Sequence, residues 1–193
     1  VIKQLSADKI LCEAAKNASG IRILRQEPFE TLISFIISQN NNIPRITGII
    51  SRLCESFGKP MSNGYSFPDA ETLAALDENS LAPLRAGFRA RYIIDGARKV
   101  ADGSVDFAAI DKMDYESGKA ALKQIVGVGD KVADCVLLFA FHKLDAFPKD
   151  VWIKRILAEF YPDGLPGCIG AYGGIAQQYL FDYARRSGKF EKK

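Results

Sequence analysis

The chain has a single histidine, four cysteines, little excess charge of either sign and no apolar run long enough to cross a bilayer. Each shortage excludes something. The cysteines, Cys12, Cys54, Cys135 and Cys168, stand far apart and form no C-x-x-C pair, which speaks against both a zinc site and a disulfide framework. The histidine, His142, falls at the end of a helical stretch and reads as a cap or surface residue with no catalytic role. With neither a membrane-spanning run nor a signal-peptide pattern at its start, the protein is expected inside the cell, with no membrane partner. The formal net charge of +3 is mild. A nucleic-acid binder needs a local basic surface, so this excess supports such a role only weakly. Internal repeats and low-complexity tracts are missing too, apart from a short basic tail at 189–193.

What is present is a chain of 193 residues, 48% of them hydrophobic, enough for one core or for two small lobes sharing a cleft. Few segments alternate as strands do, and the pattern is all-α. Ser6 or Asp8 can begin a helix through about Lys16, and Pro28 can start another. Residues 43–57 repeat apolar side chains at Ile46, Ile49, Ile50, Leu53 and Phe57 before Gly58 stops them; 59–67 read as a loop. Further helices are expected from Pro68, over 91–100, 114–125 and 130–141, with a short segment at 106–112.

The densest information lies in residues 125–150, IVGVGDKVADCVLLFAFHKLDAFPKD. Val126-Gly127-Val128-Gly129 interrupts helical sequence on both sides, and its glycines allow positive φ and close approach of another molecule. Its N–H groups sit at the start of the next helix, where unpaired donors and the helix dipole favour an anion such as a phosphate. Lys131 falls in that helix's first turn, the unfavourable end of the dipole for a cation, which tends to raise the fraction of neutral, nucleophilic amine. Asp150 follows 150 − 131 = 19 residues later, beyond Pro148, where it can cap the next helix or act chemically. On the helix 130–141, Val132, Val136 and Phe139 can form one apolar face, while Lys131 and Cys135 are i, i+4 neighbours.

This hairpin, lysine and following aspartate resemble the helix-hairpin-helix DNA glycosylases, with the motif at about 115–142. VGDKVADC with FPKDV is most similar to the 8-oxoguanine glycosylase branch, in which the lysine marks bifunctional glycosylase/AP lyase action. GIRILRQ leading into FIISQNNNIPRITG, GFRARY at 87–92, and AQ at 176–177 with LF at 180–181 extend the likeness from about Gly20 to Arg186. The resemblance implies two helical lobes with the active site in the cleft between them, occupying the whole of 1–193 and acting as a monomer on double-stranded DNA containing oxidised guanine, preferentially opposite cytosine. The β-sheet domain with which such enzymes usually begin has no counterpart in these residues. The cellular address implied is the nucleoid of a bacterium or the nucleus of a eukaryote.

The roles it implies follow residue by residue. Lys131 attacks the sugar and Asp150 stabilises charge there. Cys135 and Phe181 sandwich the extruded base, and Gln177 reads its edge. Alone, Cys135 and Phe181 would read as core and Gln177 as a surface glutamine. Arg45 and Arg89 face the cytosine left behind, Asn40 contacts that strand, and Phe88, where many members carry tyrosine, wedges the gap. Alone, these would read as surface arginines and a capping asparagine. Trp152 is a departure from the histidine of the eukaryotic pattern. The hairpin, Val126 to Gly129, holds a DNA phosphate, aided by a structural cation on the backbone carbonyls of Lys123, Ile125 and Val128. No cofactor is required for the chemistry. The related endonuclease branch carries a closely spaced four-cysteine motif near its end; only Cys168 lies there, so no iron–sulfur cluster is expected. A glycosylase of other lesion specificity and a noncatalytic DNA-binding module stay open beside this reading.

Overall fold

A computed structural model describes residues 1–186; the basic tail at 189–193 lies outside them. In chain order the helices are α1 (Ile2–Leu5), α2 (Lys9–Asn17), α3 (Pro28–Ser38), α4 (Ile43–Phe57), α5 (Ala70–Ala74), α6 (Arg89–Ala101), α7 (Phe107–Lys112), α8 (Tyr115–Leu122), α9 (Asp130–Phe139), α10 (Val151–Phe160) and α11 (Gly173–Arg186). Short 3₁₀ turns occupy Asn79–Leu84 and Gly167–Tyr172. Most starts are set by a side-chain oxygen that accepts one of the orphan N–H groups of the first turn. Asp8 caps α2, Glu27 with Pro28 opens α3, and Asn42, Asp69, Asp106, Asp114 and Asp150 cap α4, α5, α7, α8 and α10.

Four expectations need correction. Residues 59–67 are more than a loop: β1 (Pro60–Met61) and β2 (Gly64–Tyr65) pair antiparallel, Pro60 opposite Tyr65 and Met61 opposite Gly64. Helix α6 begins at Arg89, two residues before the expected start, because the Arg89 side chain is held inside the protein. The helix expected to run to 125 ends at Leu122, where the chain turns into the hairpin. Helix α9 is not apolar on one face alone, since every residue from Val132 to Leu138 is buried, Asp134 among them.

The chain folds into two compact units. One comprises residues 26–136, the other residues 1–25 together with the chain from Leu137 onward, so the boundary falls inside α9. In the first, α6 packs on α3 and α5, and α3 on α4. Leu32, Ile33, Ile36 and Ile37 of α3, Ile49 and Leu53 of α4, Leu73 of α5 and Ile93 of α6 are all buried there. In the second, α11 packs on α2 and α10. Leu5, Leu11, Ile153, Ile156, Tyr179 and Leu180 form its core, each excluded from water almost entirely. Burying side chains of this size stabilises by roughly 1.5–3 kcal/mol apiece before chain entropy is counted.

Candidate active site

In the unit of residues 26–136, the chain leaves α8, turns through Val126-Gly127-Val128-Gly129 and enters α9. Gly127 has φ +82°, and a Cβ on it would overlap the ring of Tyr92, so this position demands glycine for two reasons at once. Space around Gly129 is open. The Val128 N–H closes the turn on the Ile125 carbonyl at 3.0 Å, and the Val126 N–H donates to Asp95 Oδ2 at 2.7 Å. Among the described residues, the Gly127 and Gly129 N–H groups are therefore the hairpin donors left to face a ligand.

Lys131 follows in the first turn of α9, half-buried, with its Nζ 5.0 Å from the centre of the Phe35 ring. The ring face attracts the ammonium and covers one side of it. Asp130 precedes it at the exposed helix start. The hydrogen bond from Lys123 at 2.7 Å, and next the charge of Lys119, hold its carboxyl below the usual carboxylate range. Cys135 lies one turn on from Lys131 and is buried. Asp134 is buried as well. Its Oδ1 accepts from Tyr115 Oη at 2.8 Å and lies 2.9 Å from Lys119 Nζ, which stitches α8 to α9 and fixes the hairpin's two stems. Burial works against the charge on Lys119, but the bonds to Tyr115 and Asp134 outweigh it and raise its pKa.

The other predicted residues of this unit gather around the start of α6. Phe88 is the exposed N-cap, edge-on to Tyr92 at 5.7 Å. Arg89 is only 2% exposed. Its Nε donates to the Gln39 carbonyl at 2.9 Å, its Nη1 to Ala86 at 3.2 Å, and its Nη2 to the Asn40 carbonyl at 2.8 Å and to Gln39 as well. Burial first, then the nearby Arg45 charge, lowers its pKa. In this arrangement Arg89 braces the turn between α3 and α4, where Asn40 adopts φ +46°. Arg45 is exposed in the first turn of α4, its Nη2 donating to the Arg85 carbonyl at 3.3 Å.

Asp150, Gln177 and Phe181 belong to the other unit. Asp150 Oδ1 caps α10 by accepting from the Ile153 N–H at 2.8 Å, leaving Oδ2 outside the cap. Trp152 lies beneath the guanidinium of Arg155 at 5.5 Å. Gln177 is 4% exposed, not the surface glutamine its type suggests; its Oε1 accepts from Gln178 at 2.7 Å. Phe181, one turn further along α11, is half-buried, with Arg185 5.9 Å from its ring centre. The start of α11 rests on Gly173 and Gly174, where a Cβ would press on the Asp145 carbonyl or overlap Leu138. His142, beyond α9, makes a 3.1 Å contact through Nε2 to the Ile23 carbonyl.

The predicted residues thus divide between the units: hairpin, lysine, Cys135 and the α3–α4 and α6 residues in one, Asp150, Gln177 and Phe181 in the other. Sequence reasoning missed Tyr92, Asp95 and Lys99 under the hairpin, the Tyr115–Lys119–Asp134 network, and the glycine pair under α11. A signal existed for the first group, whose i, i+3, i+7 spacing puts them on one helix face. No group of three or more His, Cys, Asp or Glu among the described residues is placed to hold a metal ion. No helix among them is long and apolar enough to cross a membrane.

Comparison with known proteins supplies a context for this arrangement. The profile of the HhH-GPD superfamily base excision DNA repair proteins matches residues 33–164. A probable N-glycosylase/DNA lyase of Methanothermobacter thermautotrophicus is 34% identical over 96% of this chain and 70% of its own length. The N-glycosylase/DNA lyase of Saccharomyces cerevisiae is 41% identical over 77% of this chain, which spans 44% of the yeast protein. Among solved structures, the Clostridium acetobutylicum 8-oxoguanine glycosylase/lyase bound to double-stranded DNA with cytosine opposite 8-oxoguanine superposes with a TM-score of 0.87. It shares 37% identity over 97% of this chain and 69% of its own.

Proposed function

Because the chain belongs to the HhH-GPD superfamily of base excision DNA repair proteins, we propose that it is a bifunctional DNA glycosylase/AP lyase that removes 8-oxoguanine, preferentially opposite cytosine. The observation that carries this reading is Lys131 in the first turn of α9, directly after a glycine hairpin whose Gly127 and Gly129 N–H groups can hold a phosphate. A module that only bound DNA would need the hairpin but not a half-buried lysine over an aromatic ring beside it.

In the proposed reaction the lesion nucleotide is turned out of the helix, Phe88 entering the vacated stack. Cys135 and Phe181 flank the base, and Gln177 offers its amide edge. Once its ammonium has given up a proton, Lys131 Nζ forms a bond to C1′ of the sugar while the glycosidic bond breaks; the base leaves with the bonding pair and takes up the proton that the newly bonded nitrogen sheds. The nitrogen lone pair then breaks the C1′–O4′ bond, O4′ taking up a proton, to give a Schiff base; loss of a proton from C2′ forms a C2′–C3′ double bond and expels the 3′ phosphate with its bonding pair. Asp150, through the oxygen not used in the cap, stabilises positive charge developing on the sugar and helps orient or deprotonate the reacting groups. Arg45 is exposed and ready to read the opposite cytosine, with Asn40 on the same strand. Arg89, with four of its five N–H groups bonded to backbone carbonyls, has one left for such a contact and is only 2% exposed.

The carbonyls of Lys123, Ile125 and Val128 are the oxygen donors a hard cation takes, and the Ile125 carbonyl keeps a lone pair beyond the one the Val128 N–H uses. A cation there would tie the hairpin to a phosphate and supply nothing to the bond-breaking steps. The enzyme works where the genome is, in nucleoid or nucleus. The test is incubation with duplexes containing 8-oxoguanine opposite each normal base, with borohydride present. A covalent adduct, most abundant opposite cytosine, is expected. No adduct with any duplex sinks the lyase assignment, and adducts only with other lesions sink the substrate.

A further inference from the structure

Helix α6 presents Tyr92, Asp95, Gly96 and Lys99 on one face, and all four meet the hairpin or the two residues before it. Tyr92 lies against Gly127, and Gly96 leaves room for Ile125, which a Cβ would approach to 3.4 Å. Asp95 Oδ2 accepts the Val126 N–H at 2.7 Å and pairs with Lys99 at 2.9 Å, both side chains being 27% exposed. Lys99 Nζ also donates to the Gln124 carbonyl at 2.6 Å. The hairpin's first residue and the residue two before it are thus fastened through side chains of another helix, Val126 by its N–H and Gln124 by its carbonyl. Resting on the glycosylase reading above, we infer that Asp95 is a positioning residue for the phosphate grip: it fixes the hairpin so that the Gly127 and Gly129 N–H groups converge on one phosphate, and with it sets where the sugar meets Lys131.

Charge alone and positioning make opposite predictions for removal of Asp95. Deleting an acidic group near a DNA-binding surface strengthens binding by long-range attraction. Losing the hairpin's fixed geometry weakens it and removes one phosphate contact. The test is the affinity of Asp95→Ala and Asp95→Asn for a duplex carrying a tetrahydrofuran abasic analogue opposite cytosine, measured by fluorescence anisotropy across a salt series.

Asp95→Ala is expected to bind about tenfold more weakly, with the slope of log K against log salt shallower by about 0.9, the share of one phosphate. Asp95→Asn keeps an acceptor for the Val126 N–H and loses only the ion pair, so it should lie between the alanine variant and the parent. At saturating enzyme the single-turnover excision rate should fall less than affinity. Affinity equal to or tighter than the parent's with an unchanged slope would overturn the inference, as would an asparagine variant no better than alanine. Should Asp95→Ala fail to give a cooperative melt, Asp95→Asn carries the same comparison alone: weaker binding than the parent supports positioning, and equal or tighter binding overturns it. A parent protein that binds the duplex but gives no borohydride adduct fails the enzymatic reading alone, and the salt-slope comparison still decides Asp95.

Discussion

Lys131 and Arg45 divide the proposed labour between bond-breaking and strand choice, and each can be altered with little risk to the fold. Lys131 is half-buried and its ammonium rests against the Phe35 ring, a contact worth about 0.5–1 kcal/mol near a surface. Lys131→Gln should therefore abolish borohydride trapping while leaving duplex affinity within about fivefold, the shift that about 1 kcal/mol allows. A gel assay and a binding titration check the two halves, and an active glutamine variant contradicts the assigned nucleophile. Arg45 is exposed, with one long bond to the Arg85 carbonyl. Arg45→Ala should lower the preference for cytosine over the other opposite bases by about tenfold, the value of a good base contact. Uniform loss across all four opposite bases would place Arg45 on phosphate instead.

At the scale of elements, the pairing of α8 with α9 rests on a buried charge. Lys119→Met would leave Asp134 uncompensated apart from the Tyr115 hydroxyl, and should cost about 3 kcal/mol in denaturant unfolding. Adding Asp134→Asn should recover most of that loss, since the penalty belongs to the orphaned charge. Much of this level was legible beforehand. Asp8 and Asp150 were readable as helix starts because the N–H groups they satisfy lie within three residues. The start of α6 was not legible, because what draws Arg89 inward is a set of carbonyls about fifty positions away at Gln39 and Asn40. Gln177 escaped for a related reason: composition makes a glutamine polar, and only packing of α11 on its neighbours makes it buried. Lys131 and the hairpin were readable since their chemistry is contained in consecutive residues.

For the molecule as a whole, alkaline conditions offer a test of several buried and half-buried groups together. Tyr115 and Tyr161 have raised pKa values, burial being the leading cause for both, with the Asp8 bond at 2.6 Å adding to the second. Lys119 is raised by its partners. A group whose folded pKa exceeds its unfolded one contributes stability that is complete below the unfolded value and is lost as pH rises through the folded one. Those unfolded values are 10.0 for tyrosine and 10.5 for lysine, so the melting temperature should hold steady below pH 10 and fall above it. A melt series between pH 8 and about 11 measures this; a decline already complete below pH 10 would mean other groups dominate.

Helix α6 touches the Asn40 turn through Arg89 at its first residue and the hairpin approach through Lys99, ten positions and about 15 Å further along. It works as a spacer of fixed length. Inserting or deleting one residue between those points would rotate one end by about 100° against the other and release both attachments. In descendants of this chain, length variation should collect where it disturbs no such span, as at the turn joining β1 and β2, and pass over the stretch from Arg89 to Lys99.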